Sequence, residues 1–253
     1  MRKILVLAMA ATLLFSLAAC GEKTPVPAPT TTAEPTTAPG PAAPGEYSYV
    51  IRPTYDSSPP GVGNPLFQFT RPFFQATSEL ANAANDVYSK MEAEFTAKME
   101  EAKAGYGNEP GSKDYIYTEL TERSYEKDGV VSFVTKSEWF MGGVSNAWIT
   151  GHTFDFNLGR ELKIADVLHG DDAEIAQALE SRFYAWYAGE GEDPAQLADF
   201  ERTGIAEQSG PDANFYLAGD GVHVFFEPYT VPATQSGIDI LIPWGDELVK
   251  FAG

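Results

Sequence analysis

The chain has 253 residues, with 17 Lys plus Arg against 36 Asp plus Glu and a single cysteine. A net charge of −19 argues against nucleic acid as a partner, because affinity for a phosphate backbone comes from dense Lys and Arg patches. One cysteine allows no intramolecular disulfide and no zinc ribbon, while 43% apolar residues supply core for one large or two small domains.

Met1–Cys20 has the parts of an export signal: Arg2 and Lys3, an apolar run from Ile4 to Leu17, and small residues at Leu17-Ala18-Ala19. The run is shorter than the roughly 20 residues that span a bilayer as a helix. The only cysteine follows directly, and Leu17-Ala18-Ala19-Cys20 resembles the bacterial lipobox. That resemblance implies cleavage of residues 1–19 and acylation of Cys20, which anchors the chain to a membrane; a plain secretory signal is the alternative. With Gly at position 21, the outer membrane is the expected address in an organism that has one. Cleavage leaves 15 bases against 36 acids, a net charge of −21 that anionic lipids repel, so the lipid must do the anchoring. Thr24 to Gly45 then holds seven Pro, six Thr and five Ala with no aromatic residue. Residues 20–45 read as a lipidated cysteine and a disordered, Pro/Thr/Ala-rich linker, whose 22-residue tract reaches on the order of 70 Å as polyproline II.

From residue 46 the aromatics begin. Glu46–Arg52 alternates as a first strand, and Asp56–Asn64 is a Pro/Gly/Ser loop. Pro72 opens the longest helical pattern, with Phe73, Thr77, Leu80, Ala84, Val87, Met91, Phe95 and Met99 at steps of three and four, ending at Gly105. Tyr115–Glu126 and Val130–Met141 are strands joined by the hairpin signal Lys127-Asp128-Gly129. Ala147–Asn157 and Glu161–Ile164 pair across Leu158-Gly159, and Ala173–Ala188 is a second amphipathic helix. Gly189–Asp212 is loop-rich and acidic, with a short helix near Pro194. Asn214–Ala218 and Val222–Glu227 form a third hairpin, Ile238–Ile242 a last strand, and Trp244–Phe251 a terminal helix. The pattern predicts an α+β fold: antiparallel sheets of hairpins packed against one long and one shorter helix. The expected parts are a strand–helix subdomain over 46–113 and a C-terminal domain over 114–253.

Catalytic signatures are weak. His152, His169 and His223 lack metal-type spacing, so no metal and no cofactor is expected. Gly143-Val144-Ser145-Asn146-Ala147 is one residue short of a nucleophile elbow and is followed by strand-like sequence. The acid pairs Asp171-Asp172 and Glu192-Asp193 read as solvated loop charges. The 32 aromatic residues either fill the core or, where exposed, stack on sugars or anchor a partner.

Gly142-Gly143, the block Thr150–Leu168, Asn214-Phe215-Tyr216-Leu217, Phe226-Glu227-Pro228-Tyr229 and Ile240–Trp244 together resemble a family of extracytoplasmic domains of unknown function. Its best-known member is the ectodomain of the anti-sigma-V factor (RsiV), a lysozyme receptor. The resemblance covers roughly residues 115–250 and implies a non-enzymatic, lipid-anchored envelope module that binds, or inhibits, a lysozyme-type muramidase. The chain departs from the family at Val144-Ser145-Asn146, where Ala-His-Gly is common. It has no sigma-binding segment or deacetylase Asp-His-His set, so neither activity is expected. The alternative partner is peptidoglycan or a surface polysaccharide, and a third reading is an uncharacterised hydrolase. Trp148, Glu227 and Tyr229 are the candidate contact residues, and Cys20 the lipid attachment.

Overall fold

Aromatic and β-branched residues dominate Tyr49–Asp56 (β1) and Leu66–Phe74 (β2), which pair antiparallel. The structure, a computed structural model, describes residues 47–57, 66–106, 115–141, 144–231 and 237–251. The segment expected as a signal (1–19), the expected lipid attachment Cys20, the expected linker to residue 45 and Gly142-Gly143 lie outside the described residues.

The long helix does not open at Pro72. Residues 66–74 are strand, with Phe67, Phe69 and Phe74 buried, and the helix (α1) runs over Glu79–Tyr106. Pro72 is tolerated because pairing of β2 with the next strand ends at Thr70. Ser78 starts α1, its Oγ accepting the Ala81 N–H at 3.2 Å. The Asn85 amide then brackets Phe74, accepting its N–H and donating to its carbonyl, both at 3.0 Å. Leu80, Ala84, Tyr88, Phe95 and Met99 are the stripe that α1 buries against the sheet.

Beyond α1, Tyr115–Lys127 (β3) lies parallel to β2, Leu66 to Thr70 facing Ile116 to Leu120. The expectation of wholly antiparallel sheets is therefore corrected: the large sheet is mixed. A parallel neighbour needs a long crossover, and the 28-residue α1 supplies it. Val130–Met141 (β4) follows through Asp128 and Gly129, both at positive φ (50° and 84°), the conformation that a tight two-residue hairpin demands. Val144–Asp155 (β5) and the two-residue Arg160–Glu161 (β6) complete a six-stranded sheet in sequential order.

Ile164–Val167 (α2) is one turn, held by Asp166, which accepts the Lys163 N–H and a two-pronged Arg160 contact at 2.6 and 2.7 Å. Asp171 and Glu174 form a capping box on Asp172–Gly189 (α3). A 3-10 turn at Pro194–Gln196 precedes Asp199–Gln208 (α4), so the acidic stretch holds more helix than its composition suggests. Phe215–Leu217 (β7), Gly221–Phe226 (β8) and Ile238–Pro243 (β9) form a separate antiparallel sheet.

The terminal helix expected over Trp244–Phe251 is absent. Gly245 turns the chain at φ 89°, the Leu248 carbonyl accepts the His169 N–H at 2.7 Å, and Val249 bridges Leu168. Arg182 grips Asp246 at 2.7 and 2.8 Å, and the Lys250 N–H donates to the Val167 carbonyl at 3.0 Å, so the tail is tied to α2 and α3 in place of forming a helix.

One core lies between α1 and the large sheet, centred on Phe69, Tyr88, Phe95 and Phe133. The other lies between the small sheet and α3, where Phe183 and Phe226 meet edge to face at 4.8 Å. β7 joins them, its Leu217 N–H donating to the buried Ser132 Oγ of β4 at 3.0 Å. The α+β architecture stands, with a mixed sheet at its centre. Among the described residues no helix is long and apolar enough to cross a membrane.

Candidate functional site

β5 is uncharged from Val144 to Gly151, and its side chains alternate between two faces of the sheet. Asn146, Trp148, Thr150 and His152 share one face with Phe133, which faces α1. Gly151 lies on the other, where a Cβ would stand 1.9 Å from the Phe215 carbonyl oxygen. Only glycine lets β7 approach so closely. Asn214 then clamps the two sheets together: its Oδ1 accepts the Gly151 N–H at 2.9 Å and its Nδ2 donates to the Ile149 carbonyl at 2.6 Å.

This junction leaves a cleft beside β5. Two adjoining cavities, about 460 and 340 Å³, share Thr150, Asn214 and Glu227. The larger continues past His152, Glu161 and Asp212; the smaller is lined by Asn146, Trp148 and Pro228. His152 Nδ1 contacts Glu161 at 2.7 Å, and Lys163 pairs with Asp212 at 3.0 Å. The Glu227 carboxylate has no hydrogen-bond partner among the described residues, although its backbone N–H donates to Gln208 Oε1 at 2.6 Å. Asn146 Oδ1 is buried and also lacks a partner.

The structure thus brings Trp148 and Glu227 onto one cleft. Tyr229 follows Pro228, which lines the smaller cavity; it is 54% exposed, with a backbone φ of 63° that residues other than glycine rarely adopt. Cys20 lies outside the described residues. Asn146, Asn214 and Gly151, which shape the cleft, carried no signal as site residues in the sequence. An asparagine beside an uncharged strand gives no sign that its amide will clamp another sheet.

Elsewhere, the features weighed for chemistry have structural partners. Ser145 lies in a strand, not an elbow. Asp171 caps α3, and Asp193 accepts the Ala195 N–H at 2.9 Å. His223 sits between Asp220 and Asp239 at 2.9 and 3.0 Å and stacks on Tyr216 at 4.7 Å. Burial by itself would lower the His223 pKa, but its hydrogen bonds to Asp239 and Asp220 prevail and raise it. Glu119 is buried beneath α1 and accepts the Tyr117 hydroxyl at 2.5 Å. Burial pushes its carboxyl up, against the lowering effects of Tyr117 and Lys98. At 6% exposure it is a packed acid. Among the described residues no group of three or more His, Cys, Asp or Glu side chains is arranged to hold a metal.

No protein-family model matches the chain, and no curated protein matches it. Among solved structures, the fold is similar to a DUF3298 family protein from Pseudomonas aeruginosa PAO1, with a TM-score of 0.50 at 18% identity, over 82% of this chain and 96% of that one. A DUF3298 member from Bacteroides fragilis NCTC 9343 gives a TM-score of 0.47 at 16% identity, over 81% and 92%. At such identities the likeness to the Pseudomonas protein speaks for the fold alone.

Proposed function

We propose that this chain is a non-catalytic binding module of the bacterial cell envelope, anchored by lipid on Cys20, which docks a basic muramidase-type protein at the mouth of the β5 cleft. The observation that carries the reading is Tyr229. A large aromatic kept 54% exposed in a backbone conformation that costs on the order of 1–3 kcal/mol is held for presentation and not for packing. Tyrosine is among the residue types that anchor interfaces, and the Glu227 carboxylate, two residues earlier and on the cavity lining, offers a cation a partner. A net charge of −21 after signal cleavage speeds encounter with a basic protein. Trp148 with the Asn146 and Asn214 amides favours a second reading, a cell-wall glycan stacked in the same cleft.

Calorimetry of a soluble fragment beginning at Gly21 separates the two. Against a basic lysozyme, the proposal expects saturable one-to-one binding at low salt and at about 0.15 M, with inhibition of wall lysis. Tyr229→Ala should weaken it by about tenfold or more without lowering the melting temperature. Binding that vanishes in modest salt, or that ignores Tyr229→Ala, would overturn the reading. Saturable, salt-insensitive binding of wall fragments would favour the glycan.

A further inference from the structure

Both edges of the large sheet are strands, and they are built differently. β1 carries Arg52 and Pro53 and a register break between Pro53 and Tyr55, devices that blunt an edge against pairing. β5 has none over Val144–Gly151, and its register against β4 is unbroken. β6 pairs only with Phe154 and Asp155. The outward backbone groups of β5 belong to the odd residues, since the Thr153 carbonyl reaches Leu162 N–H at 2.8 Å and Asn214 takes Gly151 N–H and the Ile149 carbonyl. Ser145, Ala147 and the Ile149 N–H continue that row with no partner among the described residues. The row ends at the smaller cavity, where Asn146 Oδ1 and the Glu227 carboxylate are acceptors lacking donors.

From this geometry we infer that the free edge of β5 receives an extended, basic segment of a partner protein as an added strand, paired with Ser145–Ile149 and placing a Lys or Arg between Asn146 and Glu227. The inference rests on the proposal that this cleft is a docking surface, and it specifies the mode. Two unpartnered acceptors, one of them charged, select a cationic donor. Main-chain pairing supplies affinity, and every second guest side chain enters the cavity. A second copy of the chain is a poor guest, because its net charge of −21 after signal cleavage repels its own kind.

The probe is an end-blocked hexapeptide alternating Val and Lys, with an alternating Val and Glu peptide as control, added to the fragment beginning at Gly21. Residue-resolved hydrogen exchange should show the Ser145, Ala147 and Ile149 amides slowed by about tenfold or more with the Lys peptide and unchanged with the Glu peptide. Ala147→Pro removes one outward N–H at a position where an edge strand tolerates proline, and should weaken the peptide by at least about tenfold. Unchanged exchange at all three amides, or equal protection by the Glu peptide, overturns the inference whatever Ala147→Pro does. Lysozyme binding without edge protection would sink the added-strand mode and leave the docking proposal standing. Peptide protection without lysozyme binding would do the reverse.

Discussion

Gly151→Ala tests the junction on which the cleft depends. An added methyl would lie 1.9 Å from the Phe215 carbonyl oxygen, 2.5 Å from its carbon and 3.0 Å from Tyr216 Cβ. Ordinary contact begins at 3.4 Å, so the β7 backbone has to retreat by about 1.5 Å. Overfilling a close-packed contact costs about 1–3 kcal/mol. The same retreat stretches the two Asn214 hydrogen bonds to Gly151 and Ile149, each contributing about 1 kcal/mol. The total is about 3–5 kcal/mol, a large part of the roughly 5–15 kcal/mol that holds a domain folded. For a body of this size it lowers the melting temperature by about 10 °C. Thermal unfolding followed by far- and near-ultraviolet circular dichroism reads it directly. Gly204→Ala is the matched control: Gly204 lies inside α4 with nothing within 4 Å of an added Cβ. Helix propensity makes that variant more stable by about 1 kcal/mol. A Gly151→Ala protein that melts within about 2 °C of the parent with an unchanged near-ultraviolet spectrum would refute the close approach of β7 to β5.

The other predictions concern titration. His223 has its pKa raised in the fold by Asp239 and Asp220. Its contribution is therefore present in full below the ordinary value of 6.5 and lost as pH rises through the folded value. Melting temperature should fall as pH rises above about 6.5, and His223→Gln should flatten that part of the profile. A slope that survives the substitution would assign it to other groups. Glu119 is a carboxyl pushed up by burial, so its ionisation opposes folding as pH rises through its folded value. Glu119→Gln keeps an acceptor for the Tyr117 hydroxyl and should raise the melting temperature at neutral pH, with the difference closing near about pH 4. A destabilised variant at pH 7 would mean that the carboxylate is needed where it stands.

Local signals were legible and long-range ones were not. Asp128-Gly129 specifies its hairpin because the turn needs two residues at positive φ, a demand expressed within four residues. The α3 stripe of Ile175, Leu179 and Phe183 is visible because helical periodicity repeats within a single element. Pro72 misled, since a proline ahead of an apolar stripe looks like a helix start whether or not the sheet has ended beside it. The Trp244–Phe251 tail misled for the same reason in reverse: a short apolar pattern was taken up by the α2–α3 connection and by Arg182.

By itself the sequence determined the acidic charge, the absence of a disulfide framework, the α+β class and the aromatic supply, because composition and short-range periodicity require no knowledge of which surfaces meet. The tertiary structure decided the parallel pairing of β2 with β3, the clamp of Asn214 on β5, and the convergence of Trp148 and Glu227 on one cleft. Those contacts join residues far apart in the chain. α1 and β7 occupy opposite faces of one sheet, an arrangement set by packing over the whole body and not by any single segment.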